Sequence, residues 1–252
     1  TDGTIEYFAY TSDVLFYLVG YFEGIDFVEA WSVWTGETAG SWVTKNLSAD
    51  YGVPGNSVVS IITRNNALDD DVVMGVRTYG SSLNRYVNLH EAEGGELGED
   101  IHAWTVKTSS GGLIEYYSER ITSCNFTYQG RFTVLDYVEL MQSLSPTTTG
   151  AWTDLDLTTY LDQDGRVCAI LHLNYDTGAE RNIGTRIKGS AVDRYILEHE
   201  SEGGTGSAGY TGYEMPTQTD ANGVIQYYNS GGSHTWYLTG YFKWASIILK
   251  EV

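Results

Sequence analysis

Apolar and polar residues alternate with a period of two along most of the chain. Residues 58–65, VVSIITRN, are a clear case, because Val59 and Ile61 share one side of a strand and Ser60 and Ile62 share the other. Glycine-containing turn dipeptides separate segments of this kind every 8 to 15 residues. No long segment has the 3.6-residue period of a helix. The pattern therefore predicts an all-β, antiparallel protein.

The chain contains two copies of one sequence unit, because residues 42–132 return at 152–242 with a spacing of 109 to 111. The matching stretches are VVSIITRN (58–65) with VCAILHLN (167–174), GSSLNRY (80–86) with GSAVDRY (189–195), LHEAEGG (89–95) with EHESEGG (198–204), and GLIEYY (112–117) with GVIQYY (223–228). Order and spacing are kept throughout. The repeat predicts two tandem β-sandwich or jelly-roll domains of about 110 residues, 25–134 and 135–252.

Residues 1–24 match only the last two strands of this unit, with Gly20 aligned to Gly130 and Gly240. The tail 244–252 reads as the first strand of a further unit. The sequence thus predicts an orphan N-terminal hairpin, for which three explanations stay open. The chain is truncated or processed, or the hairpin completes a sheet of this chain or of a neighbour by strand addition, or it packs on the first full copy.

Charge and hydropathy exclude several classes of partner. The 252 residues include 14 basic and 33 acidic side chains, for a formal net charge of −19. Such a chain is poorly suited to the phosphates of a nucleic acid or to an anionic membrane surface. No apolar run reaches the length that a spanning helix requires, so no membrane insertion is expected. The two cysteines, Cys124 and Cys168, are expected to be small core residues rather than a disulfide framework.

A charged set recurs in both copies. Glu91 and Glu93 share a strand face with Arg85, and Arg77 lies across the predicted hairpin. His90 and Glu91 are adjacent, so they point to opposite faces and cannot chelate one ion together. We therefore interpret the set as a structural ladder of cross-strand ion pairs. Its members are Arg77, Arg85, Glu91 and Glu93 in the first copy, and Arg186, Arg194, Glu200 and Glu202 in the second.

Metal binding and catalysis find little support in the sequence. Asp69, Asp70 and Asp71 form a weak candidate for calcium, although a solvated acidic loop is the favoured interpretation. There is no G-x-S-x-G elbow, and the five histidines are scattered without a triad order. The sequence predicts a protein that is not an enzyme and that holds no cofactor or metal, calcium excepted.

The aromatic residues fall into two groups. Trp31, Trp34 and Trp104 have no aromatic counterpart in the second copy, so they are candidates for exposed contacts with a glycan or a neighbouring subunit. Aromatic residues at matching positions of the two copies are expected in the core. These are Trp42 and Trp152, Tyr116 and Tyr227, Tyr117 and Tyr228, and Phe126 and Trp236.

Two asparagines fit the sequon for N-glycosylation, in Asn46-Leu-Ser48 and Asn125-Phe-Thr127. Asn125 lies in a predicted aromatic strand. Asn46 is therefore the better candidate acceptor.

The turn motifs GSSLNRY and GSAVDRY, together with the closing aromatic strands YLVGYF (17–22) and YLTGYF (237–242), resemble repetitive surface or fibre β-domains in virion structural proteins of tailed phages. The resemblance implies a structural component of a virion or an extracellular filament. We accordingly expect a non-enzymatic protein that self-assembles with copies of itself into a fibre, sheath or virion surface. The alternatives are a carbohydrate- or receptor-binding module and a calcium-dependent adhesin.

Overall fold

The computed structural model describes residues 21–23, 26–67, 70–90, 100–133, 136–174, 179–198, 211–232, 234–243 and 248–250. The strands are β1 (Tyr21–Glu23), β2 (Phe27–Thr35), β3 (Ser41–Asn46), β4 (Val58–Asn65), β5 (Val72–Thr78), β6 (Tyr86–Leu89), β7 (Asp100–Lys107), β8 (Leu113–Ser118), β9 (Cys124–Phe132), β10 (Tyr137–Leu144), β11 (Thr153–Asp156), β12 (Val167–Asn174), β13 (Arg181–Ile187), β14 (Tyr195–Glu198), β15 (Thr211–Gln218), β16 (Val224–Asn229), β17 (His234–Phe242) and β18 (Ile248–Lys250). The all-β prediction is confirmed.

Each sequence copy folds as a sandwich of two four-stranded antiparallel sheets. In the first domain the sheet orders are β2-β9-β4-β7 and β3-β8-β5-β6. In the second they are β10-β17-β12-β15 and β11-β16-β13-β14, which is the same order moved on by eight strands. Eight strands alternating between two sheets in this way form a jelly roll. The predicted tandem of jelly-roll sandwiches is therefore confirmed.

Large side chains from both sheets fill each sandwich. In the first domain, Trp104 and Phe126 from one sheet meet Met74 and Tyr116 from the other, all with 0% exposure. In the second domain a separate cluster forms around Trp236. Full burial of one such side chain contributes about 1.5–3 kcal/mol. The alternating pattern of the sequence thus serves to fill the space between paired sheets.

One short helix interrupts the strands in the described part of the chain. Helix α1 (Leu47–Tyr51) begins after Asn46, whose side-chain Oδ1 accepts a hydrogen bond of 2.9 Å from the backbone N–H of Ala49. It ends at Gly52, which has a φ of 68°, a left-handed conformation that glycine adopts without strain. Within the described part of the chain, no helix has the length and hydrophobicity that crossing a membrane would require.

Strand β1 pairs with strand β18, so the first and last described strands lie in one ladder. Phe22 stands opposite Leu249 there, as Phe132 stands opposite Phe27 in the first domain. The tail is therefore in register as the first strand of a further unit, as its sequence predicts. The rest of the predicted hairpin, residues 1–20 and 24, lies outside the described residues.

The two domains share a buried interface. Leu171 and Leu173 on β12 of the second domain belong to the apolar cluster of the first, and Met141 on β10 packs against that cluster. At the edge of this contact, Glu139 accepts hydrogen bonds from the backbone N–H and the hydroxyl of Thr78, at 2.8 and 3.0 Å. The domains are therefore held together by packed side chains as well as by the chain between them.

Candidate functional site

A row of aromatic side chains crosses the outer face of the second sheet in the first domain. Trp42 on β3 stands opposite Tyr117 on β8, which stands opposite Gly75 on β5 and then Tyr86 on β6. The ring centroids of Trp42 and Tyr117 are 5.6 Å apart, and those of Tyr86 and Tyr117 are 5.7 Å apart. Tyr86 is 40% exposed, so the row is open to solvent at one end.

Gly75 allows the two tyrosine rings to meet above the sheet. A Cβ at this position would lie 2.0 Å from the carbonyl oxygen of Arg85 and 2.8 Å from the Cβ of Tyr86. Glycine in a strand often marks such a close approach. Because Gly75 has no side chain, the Tyr86 ring can contact the Tyr117 ring above it.

The second domain carries the same row. Tyr228 stands opposite Gly184, which stands opposite Tyr195. The Trp152 and Tyr228 centroids are 5.6 Å apart, as are the Tyr195 and Tyr228 centroids. Tyr195 is 48% exposed, and a Cβ at Gly184 would lie 2.1 Å from the carbonyl oxygen of Arg194. The aromatic face is therefore built twice with one geometry.

A polar row lies two residues along the strands from each aromatic row. In the first domain the Arg77 Nε donates to Glu115 Oε2 at 2.7 Å, and the Arg77 guanidinium carbon stands 4.0 Å from the centroid of the Trp42 ring. Arg77 also donates to the carbonyl oxygen of Leu83, at 2.9 Å, which holds the Gly-Ser loop in place. Cation–π stacking of this kind presents charged donors beside an aromatic surface.

In the second domain Arg186 takes the same position. Its Nε donates to Gln226 Oε1 at 3.0 Å, and its guanidinium carbon stands 4.0 Å from the Trp152 ring centroid. An Asp154 oxygen accepts from the Gln226 amide at 3.1 Å. The two faces thus differ in charge while keeping the same layout of hydrogen-bonding groups.

The predicted ion-pair ladder is wrong at Arg85. Arg85 is buried and forms an ion pair with Glu139 of the second domain at 3.1 Å, because its side chain points into the domain interface rather than along its own hairpin. Arg77 pairs with Glu115 on a neighbouring strand. Arg194 donates to the carbonyl oxygen of Pro216 at 2.7 Å. The carboxylates expected to complete the ladder, Glu91, Glu93, Glu200 and Glu202, lie outside the described residues.

The three tryptophans proposed as surface contacts have different environments. Trp31 is 62% exposed, whereas Trp34 is 8% and Trp104 0% exposed. The interpretation is therefore wrong for Trp34 and Trp104. Trp34 stacks on Phe126, and the Trp104 indole N–H donates to the hydroxyl of Thr63 at 3.1 Å inside the sandwich.

The interpretation of the repeated aromatics as core is confirmed for half of them. The buried members are Tyr116, Tyr227, Phe126 and Trp236. The others, Trp42, Trp152, Tyr117 and Tyr228, are half-buried on the outer faces. Adjacent strand residues point to opposite sides of a sheet, so Tyr116 faces inward and Tyr117 outward. Tyr86 and Tyr195 were not among the residues predicted from the sequence, although both close the repeated Gly-Ser motif.

The calcium candidate stays a prediction. Asp69 lies outside the described residues. Asp70 forms an ion pair with Arg120, which occupies one of its carboxylate oxygens with a cation.

The fold and the two faces together define a tandem jelly-roll protein with a repeated aromatic surface. A comparison with protein-family models finds no match, and neither does a comparison with curated protein sequences. Among solved structures, the chain is similar to the N-terminal CBM22-1-CBM22-2 tandem domain from Paenibacillus barcinonensis Xyn10C, with 10% identity over 92% of each chain and a TM-score of 0.21. This likeness is too low for any property of that protein to be transferred to this chain.

Proposed function

We propose that this protein is a non-catalytic carbohydrate-binding protein that uses one aromatic face on each domain. The observation that carries the proposal is the same exposed aromatic row on both sandwiches, with Tyr86 and Tyr195 at its open ends. These residues replace Trp34 and Trp104 as the candidate glycan contacts.

The chemistry of the faces suits a sugar. One side of a pyranose ring carries mainly C–H groups, which stack on an aromatic ring, while its hydroxyls require donors and acceptors at the rim. On the first domain, Tyr86 and Tyr117 provide the stacking surface and Arg77 and Glu115 the adjacent hydrogen-bonding groups.

The class of ligand follows from the net charge of the chain and from the presence of two aromatic faces. A chain with a net charge of −19 repels anionic polymers at low salt, which favours neutral polysaccharides. Two faces on one chain engage two stretches of a polymer, so the second contact benefits from a raised effective concentration. We therefore infer that the ligand is a neutral polysaccharide rather than a single small sugar.

Affinity electrophoresis in gels containing a panel of neutral polysaccharides tests this function. Tyr86→Ala and Tyr195→Ala should each weaken retention of the parent protein roughly tenfold, and the double variant should abolish it. Tyr213→Ala is the matched control, since Tyr213 is 42% exposed and lies on the other sheet of the second domain. Failure of the parent to be retarded by any polymer in the panel, or full retention by the double variant, would contradict the proposal.

Self-association is a second candidate function, supported by the equivalence of β2 and β10. Glu29 and Trp31 lie 110 residues before Glu139 and Met141, and both strands carry the same irregularity in register. In the second domain these positions carry the contact with the first domain. In the first domain Glu29 is exposed and Trp31 is 62% exposed.

We infer that a jelly-roll domain of a second copy docks on β2 as the first domain docks on β10. Sedimentation velocity over a range of concentrations should show association of the parent protein, which Trp31→Asp removes and Tyr86→Ala leaves unchanged. A parent that stays monomeric at every concentration would contradict this interface. The virion or extracellular setting stays a prediction.

A further inference from the structure

Three side chains of metal-binding type meet inside the second domain. They are His172 on β12, Glu198 on β14 and His234 on β17. One ligand atom from each lies within 4.8 Å of the others, and His172 Nδ1 stands 2.6 Å from Glu198 Oε2. Donor atoms that bind one zinc ion at about 2.0–2.1 Å stand about 3.4 Å apart, so small side-chain movements would bring these three onto one ion.

The three residues come from both layers of the sandwich. His172 and His234 belong to neighbouring strands of one sheet, whereas Glu198 lies on an edge strand of the other. His172 and Glu198 are both 0% exposed. An ion bound here would therefore link the two sheets from within the core.

The equivalent place in the first domain holds no such group. His172, Glu198 and His234 correspond to Thr63, Leu89 and Cys124, respectively, at spacings of 109, 109 and 110 residues. Leu89 and Cys124 are ordinary buried core residues, with 2% and 0% exposure. The second domain thus differs from the first by a coordinated change of three core positions to metal ligands.

His172 supplies an independent sign of a missing ligand. Its Nδ1, the nitrogen beside Glu198, is buried and forms no hydrogen bond of acceptable geometry with the described residues. The His172 ring lies edge-on to Trp236, with centroids 4.5 Å apart, and its centroid is 4.8 Å from that of His234. A buried polar atom of this kind costs free energy unless it is bound. Burial also lowers the pKa of His172, with a smaller effect from His234.

We propose that His172, Glu198 and His234 bind a divalent transition-metal ion of the zinc type between the sheets of the second domain. Two imidazoles and one carboxylate suit zinc, whereas calcium takes oxygen ligands alone. The ion would stabilise the second domain by joining β12 and β17 to β14. This site is unrelated to the calcium candidate at Asp69–Asp71 and does not depend on carbohydrate binding.

Zinc content and thermal stability of the untagged protein test the site. After dialysis against a chelator, the full chain should take up one zinc ion per molecule and show a higher melting temperature in zinc. The double variant His172→Thr, Glu198→Leu installs residues that the first domain already accommodates, and it should bind no zinc and show no shift. No zinc uptake by the parent, or equal uptake by the variant, would overturn the proposal.

A second measurement needs no variant. X-ray absorption of the zinc-loaded parent should show only nitrogen and oxygen donors, with the multiple-scattering pattern of two imidazoles. Sulfur in the coordination sphere, or an absence of imidazole, would place the ion elsewhere and overturn the assignment.

Discussion

Glu139 of the second domain forms an ion pair of 3.1 Å with Arg85 of the first, and the side chains of both residues are almost fully buried. The same carboxylate oxygen accepts two hydrogen bonds from Thr78, and the Arg85 Nη2 donates to the carbonyl oxygen of Thr105 at 3.2 Å. Because Glu139 and Arg85 come from different domains, this contact makes the stability of each sandwich depend on the other.

Glu139→Gln should lower the free energy of unfolding by about 3 kcal/mol, because it removes the carboxylate that forms the ion pair with the buried Arg85 guanidinium. Glu29→Gln makes the same change at the equivalent exposed position and should have an effect within about 0.5 kcal/mol. Urea unfolding followed by tryptophan fluorescence measures both. Equal effects of the two variants would show that the buried pair contributes nothing specific.

Gly75→Ala should destabilise the first domain by about 1–3 kcal/mol, because the added methyl group collides with the backbone of β6. The closest atom, the carbonyl oxygen of Arg85, cannot move without breaking the strand pairing. Gly111→Ala is the control, since its Cβ would meet only side-chain atoms at 3.8 Å or beyond. Gly75→Ala should also lose polysaccharide retention at the first face. Equal stability of Gly75→Ala and Gly111→Ala would contradict the described contact.

Mild acidification should lower the free energy of unfolding, because His102 takes up a proton more readily in the unfolded chain than in the folded protein. This buried side chain lies 3.4 Å from the carbonyl oxygen of Gly212 in the second domain. Burial, with a smaller effect from Arg85, lowers the pKa of His102 to about 4, although the Gly212 carbonyl opposes the shift. Unfolded histidine has a pKa of about 6.5, so the unfolded chain binds the proton first. The contribution of neutral His102 to the free energy of unfolding is therefore complete above about pH 6.5, and it is lost as the pH falls towards about 4.

By pH 4.5 or so this loss should reach about 2 kcal/mol of unfolding free energy. Denaturant unfolding at a series of pH values should show a weaker dependence for His102→Gln than for the parent. Parallel curves for the two proteins would mean that His102 is protonated equally in both states.

Neither cysteine should react with a thiol reagent in the native protein. Cys124 and Cys168 are both buried, and burial raises the pKa of each thiol, which reduces the reactive thiolate. Ellman's reagent should label two thiols per chain in guanidinium and almost none without it. Rapid labelling of the folded protein would show that one of the two sandwiches opens readily.

Asn46→Ala should cost about 1 kcal/mol of stability, because it removes the hydrogen bond that caps helix α1. Asn46→Asp keeps an acceptor at the same place and should be nearly neutral. Thermal unfolding of the two variants measures the difference. The same pair also tests glycosylation, since both variants remove the sequon, and only a glycosylated parent would migrate more slowly than either of them.

The architecture could be predicted from the sequence for two reasons. Period-two alternation is a local signal, and the repeat is visible when the two copies are aligned. Alternation placed Val59 and Ile61 on one side of a strand, the aromatic match with Trp236 placed Phe126 in the core, and the ordered matches between copies predicted two like domains. Alternation alone could not decide which of two adjacent tyrosines, Tyr116 or Tyr117, faces the core. That choice depends on the opposing sheet, which is far away in sequence.

The candidate sites required contacts between distant residues. Arg85 and Glu139 are 54 residues apart and lie in different domains, so the sequence pattern favours the local ladder instead. The cluster of His172, Glu198 and His234 left a signal that comparison of the copies would have found. All three positions change together from the residues of the first domain to metal ligands.

The pairing of β1 with β18 has a mechanical consequence. Tyr21 and Lys250 stand opposite each other at one edge of this three-residue ladder, where the chain enters one strand and leaves the other. A pulling force applied at these two residues opens the hydrogen bonds one after another, as in a zipper, instead of shearing them together. The β1–β18 pairing should therefore separate at a lower force than either sandwich unfolds. Stretching would first lengthen the molecule without unfolding a domain.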